Sequence, residues 1–277
     1  MHSNKSYFLS VLKYVSLVLG CLVALMPITV ALFASFKSTE EYRATGPLTP
    51  PINWLNFDNF TRAFVEGNML TGFMNTAFIV LVSLAGATLF GTMVAYVLAR
   101  FKFAGKKLLM GAFLLATLIP SVTTQVTTFQ IVNGLGLFNS IWAAIILYMG
   151  TDIIGIYIFI QFMDTISEQL DESAMIDGAS YFTIYTKIIL PLLKPAIVTT
   201  IIIKGVGLYN DFYIPFLYMP AKELQVLSTA LFAFKGPYGS QWEIICAAIM
   251  IVIIPTVIVF ISLQKFIYNG FTQGSVK

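Results

Sequence analysis

Charge is what this chain has least of. Asp, Glu, Lys and Arg make up 10% of its 277 residues, where a soluble domain carries about 25%. With 58% apolar residues and a mean hydropathy of +0.85, that scarcity excludes a water-soluble globular domain and points to a chain that crosses a membrane several times. Histidine is scarcer still. His2 is the single one, at the N-terminus, so no imidazole stands where a catalytic base or metal ligand is needed. The two cysteines, Cys21 and Cys246, each fall inside an apolar block without a CxxC partner, and read as packing residues, not as a disulfide or metal site. A GxxxxGK[ST] phosphate loop is absent, since Gly105-Lys106 has no upstream glycine at the required spacing. The chain therefore has no such cradle for ATP, and its energy has to come from elsewhere.

What is present is a series of long apolar blocks. Six spans of membrane length fall near Leu12–Phe36, Phe73–Ala99, Leu108–Val132, Ile141–Met163, Leu192–Met219 and Ile244–Ile267, each enough for roughly 30 Å of hydrocarbon. The first is too long for a signal peptide and lacks a small-x-small cleavage site. With the N-terminus inside, ten Lys and Arg fall in internal segments and five in external ones, the densest cluster being Arg100–Lys107. This satisfies the positive-inside rule and predicts that both termini are cytoplasmic. In the first external loop, clustered prolines at 46–51 predict an extended or turn backbone. The stretch Asn56–Phe64 predicts a short surface helix with a packing role and no core of its own. Within the spans, Gly72, Gly86, Gly91, Gly111, Gly150 and Gly155 mark places for close helix approach. Pro120, followed by Ser121, Thr123, Thr124, Gln125, Thr127 and Thr128, leaves two readings open: hydroxyls bonded within the bundle, or a hydrated path.

The longest polar interruption of the second half runs from Glu168 to Pro195. Its apolar and small residues recur at three and four, predicting a short amphipathic helix ended by Gly178. Composition leaves a solvated connector and a docking element equally open; spacing separates them. Glu172-Ser173-Ala174, Gly178, Ile188, Leu190 and Pro191 fit Glu-Ala-Ala, three residues, Gly, nine residues, Ile, one residue, Leu-Pro. That pattern resembles the cytoplasmic signature loop of ABC-importer permeases. Ile176-Asp177-Gly178-Ala179 and Pro195 extend the likeness to the carbohydrate branch, with Ser173 in place of an alanine and Ser167 where many members have proline. Two further stretches agree. Tyr209-Asn210-Asp211-Phe212…Pro215 resembles a Trp-Asn-Asp-Phe…Pro motif of sugar permeases, with tyrosine for tryptophan. The C-terminal run Gly270–Lys277 resembles the tail of the shorter maltose-type permease, and the subgroup resembled is the multiple-sugar or raffinose type.

The resemblance implies an all-α, polytopic membrane protein with six transmembrane helices and the type I ABC importer permease fold. Residues 1–71 would hold the tail, first helix and outer loop. Residues 72–268 would form the permease core with a coupling loop at 164–191, and 269–277 a cytoplasmic tail. The implied function is the permease subunit of an ATP-driven, binding-protein-dependent sugar importer in the bacterial cell membrane. It is not an enzyme. Its implied partners are a second, unlike permease, two nucleotide-binding ATPase subunits, an extracytoplasmic sugar-binding protein, the sugar and membrane lipid, with no nucleic acid. It would bind no cofactor of its own, ATP and Mg sitting on the ATPase subunits. Glu172, Ser173, Ala174, Asp177 and Gly178 would dock the ATPase subunits, and Gly274 and Lys277 would reach them from the tail. Three ionisable residues lie within spans, Asp152, Lys204 and Asp211, where a charge costs about 2.5–3.5 kcal/mol. Together with Tyr209 and Asn210 they are candidates for the substrate path, against a structural ion pair. Lys204 is expected to face Asp152 or Asp211, the latter seven residues on along the same helical face. A different class, an ion-coupled secondary carrier using Asp152, Lys204 or Asp211, needs no ATPase and predicts uptake that tracks a proton gradient.

Overall fold

The computed structural model describes residues 2–150, 152–236 and 239–273. Helix α1 (His2–Phe36) leads into the short α2 (Thr39–Ala44) and α3 (Asp58–Glu66). Next come α4 (Met69–Arg100), α5 (Lys106–Thr117), α6 (Gln125–Gly134), α7 (Ile141–Met149) and α8 (Ile153–Met163). The polar connection carries α9 (Gln169–Ile176). After it, α10 (Tyr181–Ile184) passes through a π-helical turn, Tyr185–Ile189, into α11 (Leu190–Leu192). The chain continues as α12 (Lys194–Asn210), α13 (Tyr213–Tyr218) and α14 (Leu227–Ala230). A two-residue antiparallel pair, β1 (Lys235–Gly236) and β2 (Gly239–Ser240), precedes the last helix, α15 (Trp242–Gln273). The fold is all-α apart from that pair. Among the described residues, four helices are long and apolar enough to cross a membrane, and six spans result if each of two bent helix pairs counts as one.

The bends correct the expectation of straight spans. Span three turns by 94° between α5 and the helical stretch Val122–Gly134. Pro120 takes an extended conformation and offers no N–H, so the chain restarts through a 3₁₀ turn, Ser121–Thr124. Its hydroxyls mostly serve the local backbone: Thr123 donates to the Pro120 carbonyl and Thr128 to that of Thr124. Gln125 reaches further, donating to the Tyr218 hydroxyl at 2.8 Å. Span five turns by 70° between Tyr181–Leu192 and α12, where Pro191 and Pro195 each delete a donor on either side of Leu193. It also stops at Asn210 rather than running on to Met219, because Asp211 takes an extended ψ of 121°. Span four is interrupted between Met149 and Ile153.

The chain divides into two compact units, residues 1–70 with 230–258, and residues 71–229 with 259–277. In the first, α1 buries little of itself: 6% of its membrane-length window is covered. Exposed residues such as Leu12, Val18 and Val23 would each cost about 1.5–3 kcal/mol in water, so lipid or another protein must cover them. Where α1 ends, Asn59 of α3 donates to the carbonyls of Ser35 and Lys37, satisfying acceptors that a helix terminus leaves free. Phe36, Trp54, Phe57 and Phe60 stack around this junction at centroid distances of 5.0–5.8 Å. The first loop thus has the short helix expected of it and a small aromatic cluster besides. Lys37 is buried, its Nζ donating to Thr45 Oγ1 and the Gly46 carbonyl.

In the second unit, α4 links two apolar clusters. One gathers Ala95, Tyr96 and Leu98 with Phe159, Ile160, Met163, Ile184 and Ile189. The other gathers Ile79 with Ala143–Ile145, Tyr218 and Val226. Between Ile79 and Ala95, α4 rises about 24 Å, and its glycines there work as close-approach points. A Cβ on Gly86 would overlap the Met149 methyl, and one on Gly91 would fall 3.2 Å from the Phe159 ring. Gly111 differs from expectation, with nothing within 4 Å. At Gly155 a Cβ would meet Asp152 Oδ2 at 2.6 Å and the Thr200 methyl at 3.0 Å. Gly155→Val is therefore expected to cost about 1–3 kcal/mol by overpacking α8 against α12, read as a lower thermal midpoint of the purified protein in detergent.

Candidate functional site

The polar connection folds as its spacing predicts, with a helix at Gln169–Ile176. Asp177 follows as the cap, and Gly178 has φ +80°, the left-handed conformation glycine adopts without a Cβ penalty. The Ala179 N–H donates to the Ala174 carbonyl and the Gly178 N–H to that of Met175. That pair of bonds is the Schellman arrangement. Ala174 and Ala179 pack against the apolar cluster beneath. Glu172, Ser173, Asp177 and Gly178 are exposed, and no ion pair engages Glu172 or Asp177 among the described residues. Ile176 is 87% exposed on the same loop. A short helix thus turns a carboxylate, a small residue and a large apolar side chain outward together.

What holds this helix down escaped the sequence reading. Asp171 is buried, and its Oδ2 forms an ion pair at 2.7 Å with Arg100 Nε, both side chains at least nine-tenths covered. Arg100 is the last residue of α4, and it also donates to the carbonyls of Ile166 at 2.9 Å and Met163 at 3.4 Å. The sequence placed Arg100 in the basic inner cluster and Asp171 on the acidic loop. The available signal was position: Asp171 lies three residues before Ala174, on the packed face, whereas Glu172 does not.

The intramembrane charges separate into two places. Lys204 Nζ lies 3.3 Å from Asp152 Oδ2, the side chains 14% and 21% exposed. Asp152 sits at the interruption of span four, where its other oxygen, Oδ1, accepts from the Gly155 N–H and caps α8. Asp211 does not share the helical face of Lys204, because α12 ends one residue earlier. Its Oδ2 accepts from the Tyr148 hydroxyl at 2.8 Å and its Oδ1 from the N–H of Tyr213 at 2.8 Å. Its carbonyl takes the Ser228 hydroxyl at 2.6 Å. Asp211 thus fastens the break between α12 and α13 to α7. Beside it opens a small cleft of about 10 Å³, room for about one water, lined by Tyr148, Tyr209, Asp211, Thr76 and apolar residues including Leu208 and Pro215. Asn210 does not line it, and its amide donates to the Val206 carbonyl of its own helix. Tyr148, an unremarkable aromatic in an apolar run, carried no sequence signal for this role. The remaining candidates, Gly274 and Lys277, lie outside the described residues.

No group of three or more His, Cys, Asp or Glu residues that could hold a metal occurs among the described residues. The arrangement offers two things instead: an outward-facing helix tied to the end of a long span, and a polar-edged cleft at a helix break between spans.

Comparison with known proteins identifies the family. Residues 87–273 match the family described as binding-protein-dependent transport system inner membrane component. The chain is 30% identical to the arabinooligosaccharides transport system permease protein AraQ of Halalkalibacterium halodurans, over the whole of both chains. It is 32% identical to the multiple sugar-binding transport system permease protein MsmG of Streptococcus mutans, covering 96% of each. To the galactooligosaccharides transport system permease protein GanQ of Bacillus subtilis it is 31% identical, covering 99% of this chain and 97% of that one. A solved chain from a bacterial ABC transporter involved in the import of alginate superposes with a TM-score of 0.84, over 94% of this chain and 97% of that one, at 21% identity. That likeness extends the agreement to the fold. The chain belongs to the binding-protein-dependent transport inner membrane components, the permease subunits of ABC importers.

Proposed function

We propose that this permease is the shorter of two unlike permeases in an ATP-driven sugar importer of the bacterial cell membrane, with both termini cytoplasmic. A separate sugar-binding protein delivers an oligosaccharide from outside. Two nucleotide-binding subunits, which carry the ATP and Mg, dock from inside, and this chain binds no cofactor itself. The observation that carries the reading is the outward face of α9, where Glu172, Ser173 and Ile176 stand exposed at helical spacing beside Asp177 and Gly178. An 87% exposed isoleucine on a polar loop is covered on binding, and Glu172 or Asp177 then meets a basic residue of the ATPase cleft. ATP binding shifts the transporter between inward- and outward-facing states by its differential affinity for them.

The sugar path runs past the cleft at Tyr148, Tyr209 and Asp211. Aromatic faces and a fixed carboxylate are the means by which proteins grip sugar rings and hydroxyls. Asn210 stands one residue before Asp211 with its amide held by the Val206 carbonyl, and Asp152 with Lys204 holds the neighbouring helices in place. The tail residues Gly274 and Lys277 add a second contact to the ATPase subunits. Membership of this family leaves the ion-coupled carrier reading without support.

The test is the purified complex of both permeases and the ATPase subunits in proteoliposomes, given the binding protein and a panel of sugars. One class of oligosaccharide is expected to raise ATP hydrolysis several-fold, and Asp211→Ala to lower uptake of that sugar. Uptake driven by an imposed proton gradient in vesicles without ATP would overturn the reading.

A further inference from the structure

The pair formed by Arg100 and Asp171 has no counterpart in any role assigned so far. It joins three elements that meet at one end of the second unit. Arg100 terminates α4, and its guanidinium donates to the carbonyls of Met163, the last residue of α8, and Ile166 in the following turn. Its Nε sits 2.7 Å from Asp171 Oδ2 in the first turn of α9. A planar guanidinium can serve several acceptors at fixed angles, which a lysine cannot. Positive charge at the C-terminal carbonyls of α8 is also favoured by that helix's dipole.

Two features mark this as more than a staple. The ion pair is covered, so it works in a low-dielectric setting where rupture is costly and the geometry is held stiffly. Yet Arg100 Nε and Asp171 Oδ1 are both buried with no hydrogen-bond partner among the described residues, so Nε meets Oδ2 as a charge and not along its N–H. A buried ion pair kept for stability alone would have its second oxygen satisfied. The exposed side of α9 bears Glu172, and the covered side bears Asp171, the very next residue. Load applied to the outer face therefore passes within one residue to the joint.

We propose that Arg100 and Asp171 are positioning residues for coupling. They make the docking helix and the ends of spans two and four move as one body, and so set how much ATP-driven motion reaches the transport path. The inference rests on the docking reading above. It differs in what it predicts, because the pair acts after docking and does not face the partner.

The experiment uses the complete transporter, both permeases with the ATPase subunits, in proteoliposomes. Three quantities are read: co-purification of the ATPase subunits, ATP hydrolysis stimulated by the loaded binding protein, and sugar imported per ATP. Asp171→Asn keeps shape and removes the charge. It is expected to retain the ATPase subunits and to hydrolyse ATP at or above the wild-type rate, while sugar per ATP falls at least fivefold. Arg100→Lys keeps charge without the fork and is expected to fall between the two. An unchanged sugar-to-ATP ratio in both variants would overturn the proposal. So would loss of the assembled complex in both, which would make the pair part of the fold and not of coupling. Failure of the docking reading looks different: the ATPase subunits would co-purify undiminished with a chain whose outer α9 face is altered at Glu172 and Ile176.

Discussion

Gly178→Asp is expected to leave the permease in the membrane, folded and at normal abundance, and to abolish coupling to ATP hydrolysis. The position has φ +80° and open space around it, with nothing within 4 Å of an added Cβ. The substitution therefore meets backbone strain without steric collision. A left-handed conformation costs a non-glycine residue about 1–2 kcal/mol, which disfavours the local turn by a factor of about 5–30. That is too little to unfold a protein of this size but enough to release the Schellman bonds made by Gly178 and Ala179. The same change adds a negative charge next to Asp177, on the face proposed to meet a basic partner. Gly178→Asn separates the two effects, since asparagine and aspartate enter the left-handed region at similar cost and only aspartate brings a charge. Co-purified ATPase subunits and uptake should be lost in the Asp variant and largely kept in the Asn variant. Normal uptake by the Asp variant would remove α9 from the coupling route.

The second large effect is expected at Lys204. Replacing it with methionine strands Asp152 at the interruption of span four with only the Gly155 N–H as partner. Breaking a buried pair from one side costs about 3–5 kcal/mol. The 14% and 21% exposure of these side chains puts the expected loss at the lower end, about 3 kcal/mol. Asp152→Asn should be milder, because its amide oxygen can still cap α8. The double variant, Asp152→Asn with Lys204→Met, is expected to recover most of the loss, with a coupling energy of about 1–3 kcal/mol between the two positions. Thermal midpoint in detergent and yield of membrane-inserted protein would both report it. A double variant no more stable than Lys204→Met alone would show that the pair carries no energy.

These cases also mark how far the sequence could be read. The spacing Glu172, Gly178, Ile188, Pro191 was enough to single out the loop proposed for docking and to end its helix at a left-handed glycine. Both are local properties, fixed within a few residues. Apolar run lengths found the spans, because a bilayer imposes one length on all of them. They did not reveal where spans three, four and five break. Pro120 was visible, but the 94° turn depends on which neighbours accept the freed backbone groups. Asp211 illustrates the limit. Seven residues from Lys204 it reads as one helical face, yet its own carboxylate ends the helix by taking the amide of Tyr213. The pairs Arg100–Asp171 and Tyr148–Asp211 join residues 71 and 63 positions apart, and single-sequence periodicity holds no information at that range.

The Asp152–Lys204 pair has a consequence for how the chain is made. The two residues are 52 positions apart and sit on successive spans, so the carboxylate is synthesised first. At roughly 5–20 residues per second, about 3–10 s pass before Lys204 leaves the ribosome. During that interval span four must enter the bilayer with an orphan aspartate worth about +2.5–3.5 kcal/mol against insertion. Its isoleucines, eight from Ile141 to Ile160, each return about 0.3–0.6 kcal/mol and carry it through. The composition of span four is thus matched to a wait: it must be apolar enough to insert alone, before the lysine that later makes it comfortable exists.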